Sequence, residues 1–186
     1  MSGQLTKYRI TVAEYERMGE AGIFSPDARL ELLEGSIYKL PPISPPHAAA
    51  VNYLSMFFHR LFGRTFITST QHPIRLDDYS EPQPDVALLR WRDDFYRDAH
   101  PTPADVLLVI EVADTTVESD RRYKLALYAK AGINEAWLVN LPDGRIELYA
   151  EPANGVYQLT REFKRDGDAQ SHTIADVRVS VAAVIG

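Results

Sequence analysis

The sequence contains no cysteine. That excludes disulfides, zinc ribbons, iron–sulfur clusters and thiol nucleophiles, and it fits a reducing compartment. Long apolar runs are missing as well, since no segment approaches the ~18–20 apolar residues of a membrane span. The stretch from Met1 to Lys7 lacks the apolar core of a signal peptide. A cytoplasmic location with no membrane partner is the expectation. There is no P-loop, no Gly-x-Gly-x-x-Gly and no Gly-x-Ser-x-Gly, so nucleotide-cofactor and serine-hydrolase chemistry have no support. A surplus of positive charge is also lacking. The net charge of −6 argues against a protein that coats nucleic acid nonspecifically. It does not argue against an enzyme whose carboxylates hold a divalent cation, because such a site is positive when loaded.

What remains is ordinary globular material: 186 residues, 45% hydrophobic and 25% charged, with no repeat or low-complexity tract. That length suits one domain spanning residues 1–186, with a core from about 29 to 164. Thr11-Val12-Ala13-Glu14 has capping-box spacing and starts a helix through Met18. Arg29 to Tyr38 reads as two short strands around a turn at Gly35. Pro41 to Pro46 reads as a stiff connector that forbids helix, and a helix follows from His47 to about Phe62. Thr65–Leu76, Asp85–Arg90 and Val106–Ala113 are β-rich, with a long polar loop from Trp91 to Asp105. A helix is expected from about Thr116 to Ala131, capped by Thr115 with Glu118 and ended by Gly132. Asn134–Asn140 reads as a buried strand. Ile146–Ala150 and Val156–Thr160 read as an antiparallel pair turning at Asn154-Gly155. Val177–Ile185 suits strand or helix. The fold class is α/β, a central mixed β-sheet flanked by helices, with an N-terminal helix and hairpin.

Glu111 interrupts the apolar run Val106 to Ala113, whose lack of alternation describes a strand buried on both faces. A carboxylate there costs several kcal/mol unless it is paired, hydrogen-bonded or on a metal. Asp85 stands in a similar setting, before Val86-Ala87-Leu88-Leu89. On adjacent strands, about 4.8 Å apart, the two could share a magnesium ion, which takes one or two protein carboxylates and keeps waters. The alternative is that each acid caps a strand end or pairs with an arginine. Lys124 lies on the helix after the Glu111 strand, four residues from Asp120. It either forms a surface ion pair with Asp120 or is aimed at the carboxylate pair, where it could position water or stabilise charge on phosphate.

Gln83-Pro84-Asp85-Val86, Leu108 to Val112, Asp120 with Lys124, and Tyr128 to Val139 together resemble the Uma-two family of endonucleases, in the PD-(D/E)XK restriction-endonuclease-like superfamily. Glu31-Leu32-Leu33-Glu34-Gly35 and Pro45-Pro46-His47 extend the resemblance upstream. The resemblance implies a restriction-endonuclease-like core, with Asp85 and Glu111 as ligands of Mg2+ or Mn2+. It implies Lys124 as the relocated lysine of the motif and Glu31 as a further acidic site residue. Ala113 stands where the superfamily pattern has its lysine. The expected activity is hydrolysis of DNA phosphodiesters by a magnesium-dependent endonuclease, with a homodimer as the natural way to cut two strands. Two alternatives use the same residues or the same fold: a non-catalytic binding or scaffold protein, and a hydrolase of small phosphoesters. His47 is expected at a helix start rather than as a general base. His59 and His72 lack metal-ligand spacing, Trp137 and Tyr128 belong to the core, and Arg121 and Arg122 read as solvated helix residues.

Overall fold

A computed structural model describes residues 5–186; Met1 to Gln4, part of the N-terminal stretch considered above, lie outside the described residues. Helix α1 (Val12–Glu20) is capped as its spacing predicts, with the Glu14 amide donating to the Thr11 hydroxyl and the Thr11 amide donating back to the Glu14 carboxylate. Strands β1 (Leu30–Leu33) and β2 (Ser36–Lys39) form an antiparallel hairpin. Its turn requires glycine. Gly35 has φ 78°, and a Cβ there would lie 2.6 Å from the Cβ of Arg9.

Helix α2 runs over Pro45–Phe62. The proline pair therefore belongs to the helix rather than to a connector that forbids one. Proline is disfavoured inside a helix but tolerated in its first turn, where its missing N–H has no intrahelical acceptor, and Ser44 supplies the N-cap. Strand β3 (Phe66–Thr70) is shorter than the expected Thr65–Leu76, because Gln71 turns the chain at φ 54°. Then follow β4 (Val86–Arg90), β5 (Val106–Ala113), β6 (Glu135–Asn140), β7 (Arg145–Ala153) and β8 (Val156–Lys164). The helix between β5 and β6 is not regular. Val117–Ser119 and Leu125–Lys130 are α-helical, and Asp120–Lys124 between them is a π turn in which the Leu125 amide bonds the Asp120 carbonyl. The capping pair proposed at Thr115 and Glu118 is not used. Thr116 holds the N-cap position and its hydroxyl donates to Asp120 at 2.6 Å.

The six strands β3 to β8 form one sheet in sequence order. All neighbours are antiparallel except β5 and β6, which are parallel and joined by the broken helix. Val177–Ile185 resolves into both candidates: strand β10 (Arg178–Ser180), paired with β9 (Asp168–Gln170), leads into the helix Val181–Ile185.

Strand alternation sends two apolar sets to opposite sides of the sheet. Val86, Leu88, Leu108, Ile110, Val112 and Trp137 pack with Leu54 and Phe58 of α2 and with Val181 and Val184. Ala87, Leu89, Val109, Ala113 and Leu138 pack with Leu125 and Tyr128 of the broken helix. Fully burying a Val, Leu or Phe side chain contributes about 1.5–3 kcal/mol, so both layers are firmly held. Glu111 has the parity of Val109 and Ala113 and therefore points at the broken helix. Among the described residues no helix is long and apolar enough to cross a membrane.

Candidate active site

The pairing register assembles the acids in one row. Val86 pairs with Ile110 in antiparallel sense, so the ladder carried one residue further sets Asp85 opposite Glu111. Glu111 in turn pairs with Leu138, and Leu138 with Glu147. Glu111, Leu138 and Glu147 thus run across three strands on the face that the broken helix covers, and Asp85, just before β4, continues the row at its edge. Side chains directly opposite in such a ladder have Cβ atoms about 4.5–5.5 Å apart, close enough for Asp85 and Glu111 to act on one ligand.

Glu111 is 2% exposed, and two groups from the broken helix reach it. Lys124 Nζ lies 3.2 Å from Oε2, and the Tyr128 hydroxyl donates to Oε1 at 2.5 Å. The same ammonium lies 3.1 Å from Glu31 Oε2 on β1, and the Gln83 amide donates to that oxygen at 3.3 Å. Lys124 is therefore not the surface partner of Asp120. It is buried between Glu31 and Glu111. Asp85 is held separately: His47 Nε2 and the Val112 amide meet Oδ2 at 3.1 and 2.9 Å, and the Gln71 amide donates to Oδ1 at 3.1 Å.

The charges are unbalanced. Burial pushes the Glu111 carboxyl well above the ordinary range; Lys124 opposes this, but Asp85, Asp120 and Glu31 add to it. Asp120 is raised mainly by burial too. Burial would lower the Lys124 ammonium, but Glu111, Glu31, Asp120 and Asp85 together raise it. Asp85 has the opposite outcome. Burial works against its charge, yet His47, Val112 and Gln71 hold it below the ordinary carboxylate value. Four acids thus share Lys124 and His47.

Of the residues singled out in the sequence, Glu31, Glu111 and Lys124 are in direct contact and Asp85 faces Glu111 by register. His47 is a partner of Asp85 rather than a bystander, and its Nδ1 is buried without a hydrogen-bond partner. Tyr128 is core, as expected, but its hydroxyl is also a site group. Gln71 was not anticipated; its position after β3 was the available clue. His59 and His72 are exposed. Trp137 is buried and donates to Glu135 at 2.6 Å. Arg121 is not a free helix cation, because it binds Glu147 at 2.7 Å. A small cavity of about 90 Å³, lined by Ser44, His47, Asp114 and Thr116 among others, opens beside the Asp85 end.

Among the described residues, no three or more His, Cys, Asp or Glu side chains form a ready cation cage. Magnesium needs none, since it takes one or two carboxylates and completes its shell with water and phosphate oxygens. Hard oxygen donors on Asp85 and Glu111, in surroundings with surplus negative charge, fit such an ion.

The family described as "Uma2: Putative restriction endonuclease" matches residues 12–182 of the chain. A solved structure titled as a putative nuclease belonging to DUF820, from Anabaena variabilis ATCC 29413, superposes with a TM-score of 0.73 at 15% identity. The match covers 95% of this chain and 97% of that one. No curated protein matches the sequence.

Proposed function

The chain belongs to the Uma2 restriction-endonuclease family, and from that membership we propose a divalent-metal-dependent endonuclease that hydrolyses DNA phosphodiester bonds. One observation carries the reading: the register that sets Asp85 opposite Glu111, whose carboxylate meets a buried lysine, with more carboxylates than cations around it.

Asp85 and Glu111 would hold Mg2+ or Mn2+, which supplies a water of lowered pKa and neutralises charge on the scissile phosphate. His47, Gln71 and the Val112 amide fix the orientation of Asp85 and keep it ionised. Tyr128 fixes one oxygen of Glu111 and leaves the other to Lys124. Lys124, held by Glu31 from the opposite side, presents a permanent cation where charge develops on the phosphate or its attacking water. Burial of the lysine between two carboxylates fixes its position and limits competing water. The lysine supplied from the helix serves in place of the one that Ala113 lacks.

The test is cleavage of plasmid DNA with Mg2+ or Mn2+, run beside calorimetric titration of the metal-free protein with Mn2+. Asp85→Asn and Glu111→Gln are expected to lose stoichiometric metal binding and about 10²–10³-fold in cleavage rate. His47→Gln is expected to lose about 10–100-fold through disorder of Asp85. A folded Glu111→Gln protein that cleaves as the wild type does would overturn the assignment. A scaffold would bind no metal through Asp85, and a small-phosphoester hydrolase would prefer small diesters to DNA.

A further inference from the structure

Two half-exposed tyrosines stand at the rim of the site. Tyr38 pairs with Glu31 across the β1–β2 hairpin, so their side chains share one face. Tyr123 directly precedes Lys124 in the π turn. Tyr38 is 42% exposed and Tyr123 44%, and their ring centroids lie 6.3 Å apart at an interplanar angle of 36°. The Arg122 guanidinium sits 5.5 Å from the Tyr123 ring centre. The rings border a groove of about 200 Å³ that also takes in Leu33, Glu34, Arg122 and Lys130. Lys130 Nζ lies 3.2 Å from Glu34, so the groove has two cations against one carboxylate. Other exposed large apolar residues, such as Tyr8 and Ile23 near α1 or Met56 and Leu61 on α2, lie elsewhere in the chain and do not line this groove.

We infer that the Tyr38–Tyr123 pair is a stacking platform for an unpaired nucleobase next to the scissile phosphate, which makes the substrate DNA with single-stranded character: a free strand, a flap or a junction. The inference rests on the nuclease reading for its choice of ligand. A protein of net charge −6 gains little general affinity from phosphates. An exposed aromatic surface is the alternative source, and every base offers it a π-face regardless of sequence. Bases inside a duplex have both faces covered by their neighbours, so only an unpaired nucleotide can use the rings. The local cations Arg122 and Lys130 match the strand's charge where the rings are, and each ring adjoins a site residue, Tyr38 through its pairing with Glu31 and Tyr123 as the neighbour of Lys124.

Fluorescence anisotropy in EDTA, where no cleavage occurs, tests this with a short labelled single strand and the blunt duplex made from it. The wild type is expected to bind the single strand about tenfold tighter than the duplex. Tyr38→Ala and Tyr123→Ala should each weaken single-strand binding by about tenfold, equivalent to about 1.4 kcal/mol, and leave duplex binding unchanged. Tyr38→Phe and Tyr123→Phe should bind as the wild type does; they keep the ring and serve if an alanine variant fails to fold. Equal affinity for the two DNA forms would overturn the inference. So would Tyr38→Leu and Tyr123→Leu proteins that bind like the wild type, since an apolar side chain without a ring would then suffice, or a dimer that is lost with Tyr38→Ala, since a second copy would then cover the face. Tyrosine-dependent strand binding without cleavage in Mg2+ or Mn2+ supports the platform and sinks the nuclease reading. Equal, tyrosine-independent cleavage of both DNA forms does the reverse.

Discussion

Glu111 on β5 and Glu147 on β7 are each 2% exposed, lie in one row with Leu138 between them, and are covered by the same helix. Their surroundings differ in charge count. Glu147 receives Arg121, Arg145, Asn140 and the Tyr149 hydroxyl. Burial works against its charge, but these donors outweigh it and bring its pKa down to about 2. Glu111 shares a single lysine with Glu31, and its carboxyl is raised well above the ordinary range, chiefly by burial. A buried carboxylate supplied with donors is a structural joint. One left short of cations keeps a crowded, poorly compensated charge. Glu135 belongs with Glu147: fully buried, it takes bonds from Trp137, Ser171, Thr173 and the His172 amide, and so ties the loop before β10 to the sheet.

The largest difference should appear when each carboxylate loses its cation. Lys124→Met removes the partner of both Glu31 and Glu111 and is expected to cost about 3–5 kcal/mol in urea unfolding, the range for breaking a buried ion pair. Arg121→Met leaves Glu147 with Arg145, Asn140 and Tyr149, so a loss of about 1 kcal/mol is expected. Equal costs for the two would mean that the clusters are built alike. The same contrast predicts opposite signs for amide replacements. Glu147→Gln breaks a satisfied network and should lower stability by about 1–3 kcal/mol. Glu111→Gln removes a crowded charge and should leave the thermal midpoint at neutral pH equal to or above that of the wild type, although cleavage is lost. A clear fall in midpoint for Glu111→Gln would show that the charge stabilises the empty site.

Much of this was legible in the residues themselves. The unbroken apolar run around Glu111 marks β5 to its ends, because a strand covered on both faces admits no polar alternation. Asn154-Gly155 and the Thr11–Glu14 box are local chemistry and are found where their spacing puts them. The partners of Asp85 were hidden for physical reasons. His47 follows two prolines that read as a break, and only the helix start at Pro45 turns its ring toward Asp85. Gln71 enters the site through a left-handed turn that its sequence neighbours do not announce. The position of Lys124 depends on the π turn, and the i to i+4 rule for a regular helix pairs it with Asp120 instead. The networks of Glu135 and Glu147 are not legible in the sequence because key partners come from separate elements: loop 171–173 for Glu135, the broken helix and β6 for Glu147.

The smallest effect is one of acidity, and its sign separates the two regions. The folded protein depresses the pKa of Glu147 from 4.5 to about 2. Its stabilisation is therefore complete above about pH 4.5 and is lost as the pH falls toward about 2. Glu111 is raised, so its contribution runs the other way: the fold favours its neutral form and loses stability as the pH rises above the unfolded value. Urea unfolding of the wild type and of Glu147→Gln, compared across about pH 5 to pH 2, isolates the first term. The gap between the two proteins should shrink steadily over that window, because protonation turns the wild-type carboxylate into a neutral group much like the amide. A gap that stayed constant would mean that the arginines hold Glu147 by geometry alone, and the charge count separating it from Glu111 would lose its meaning.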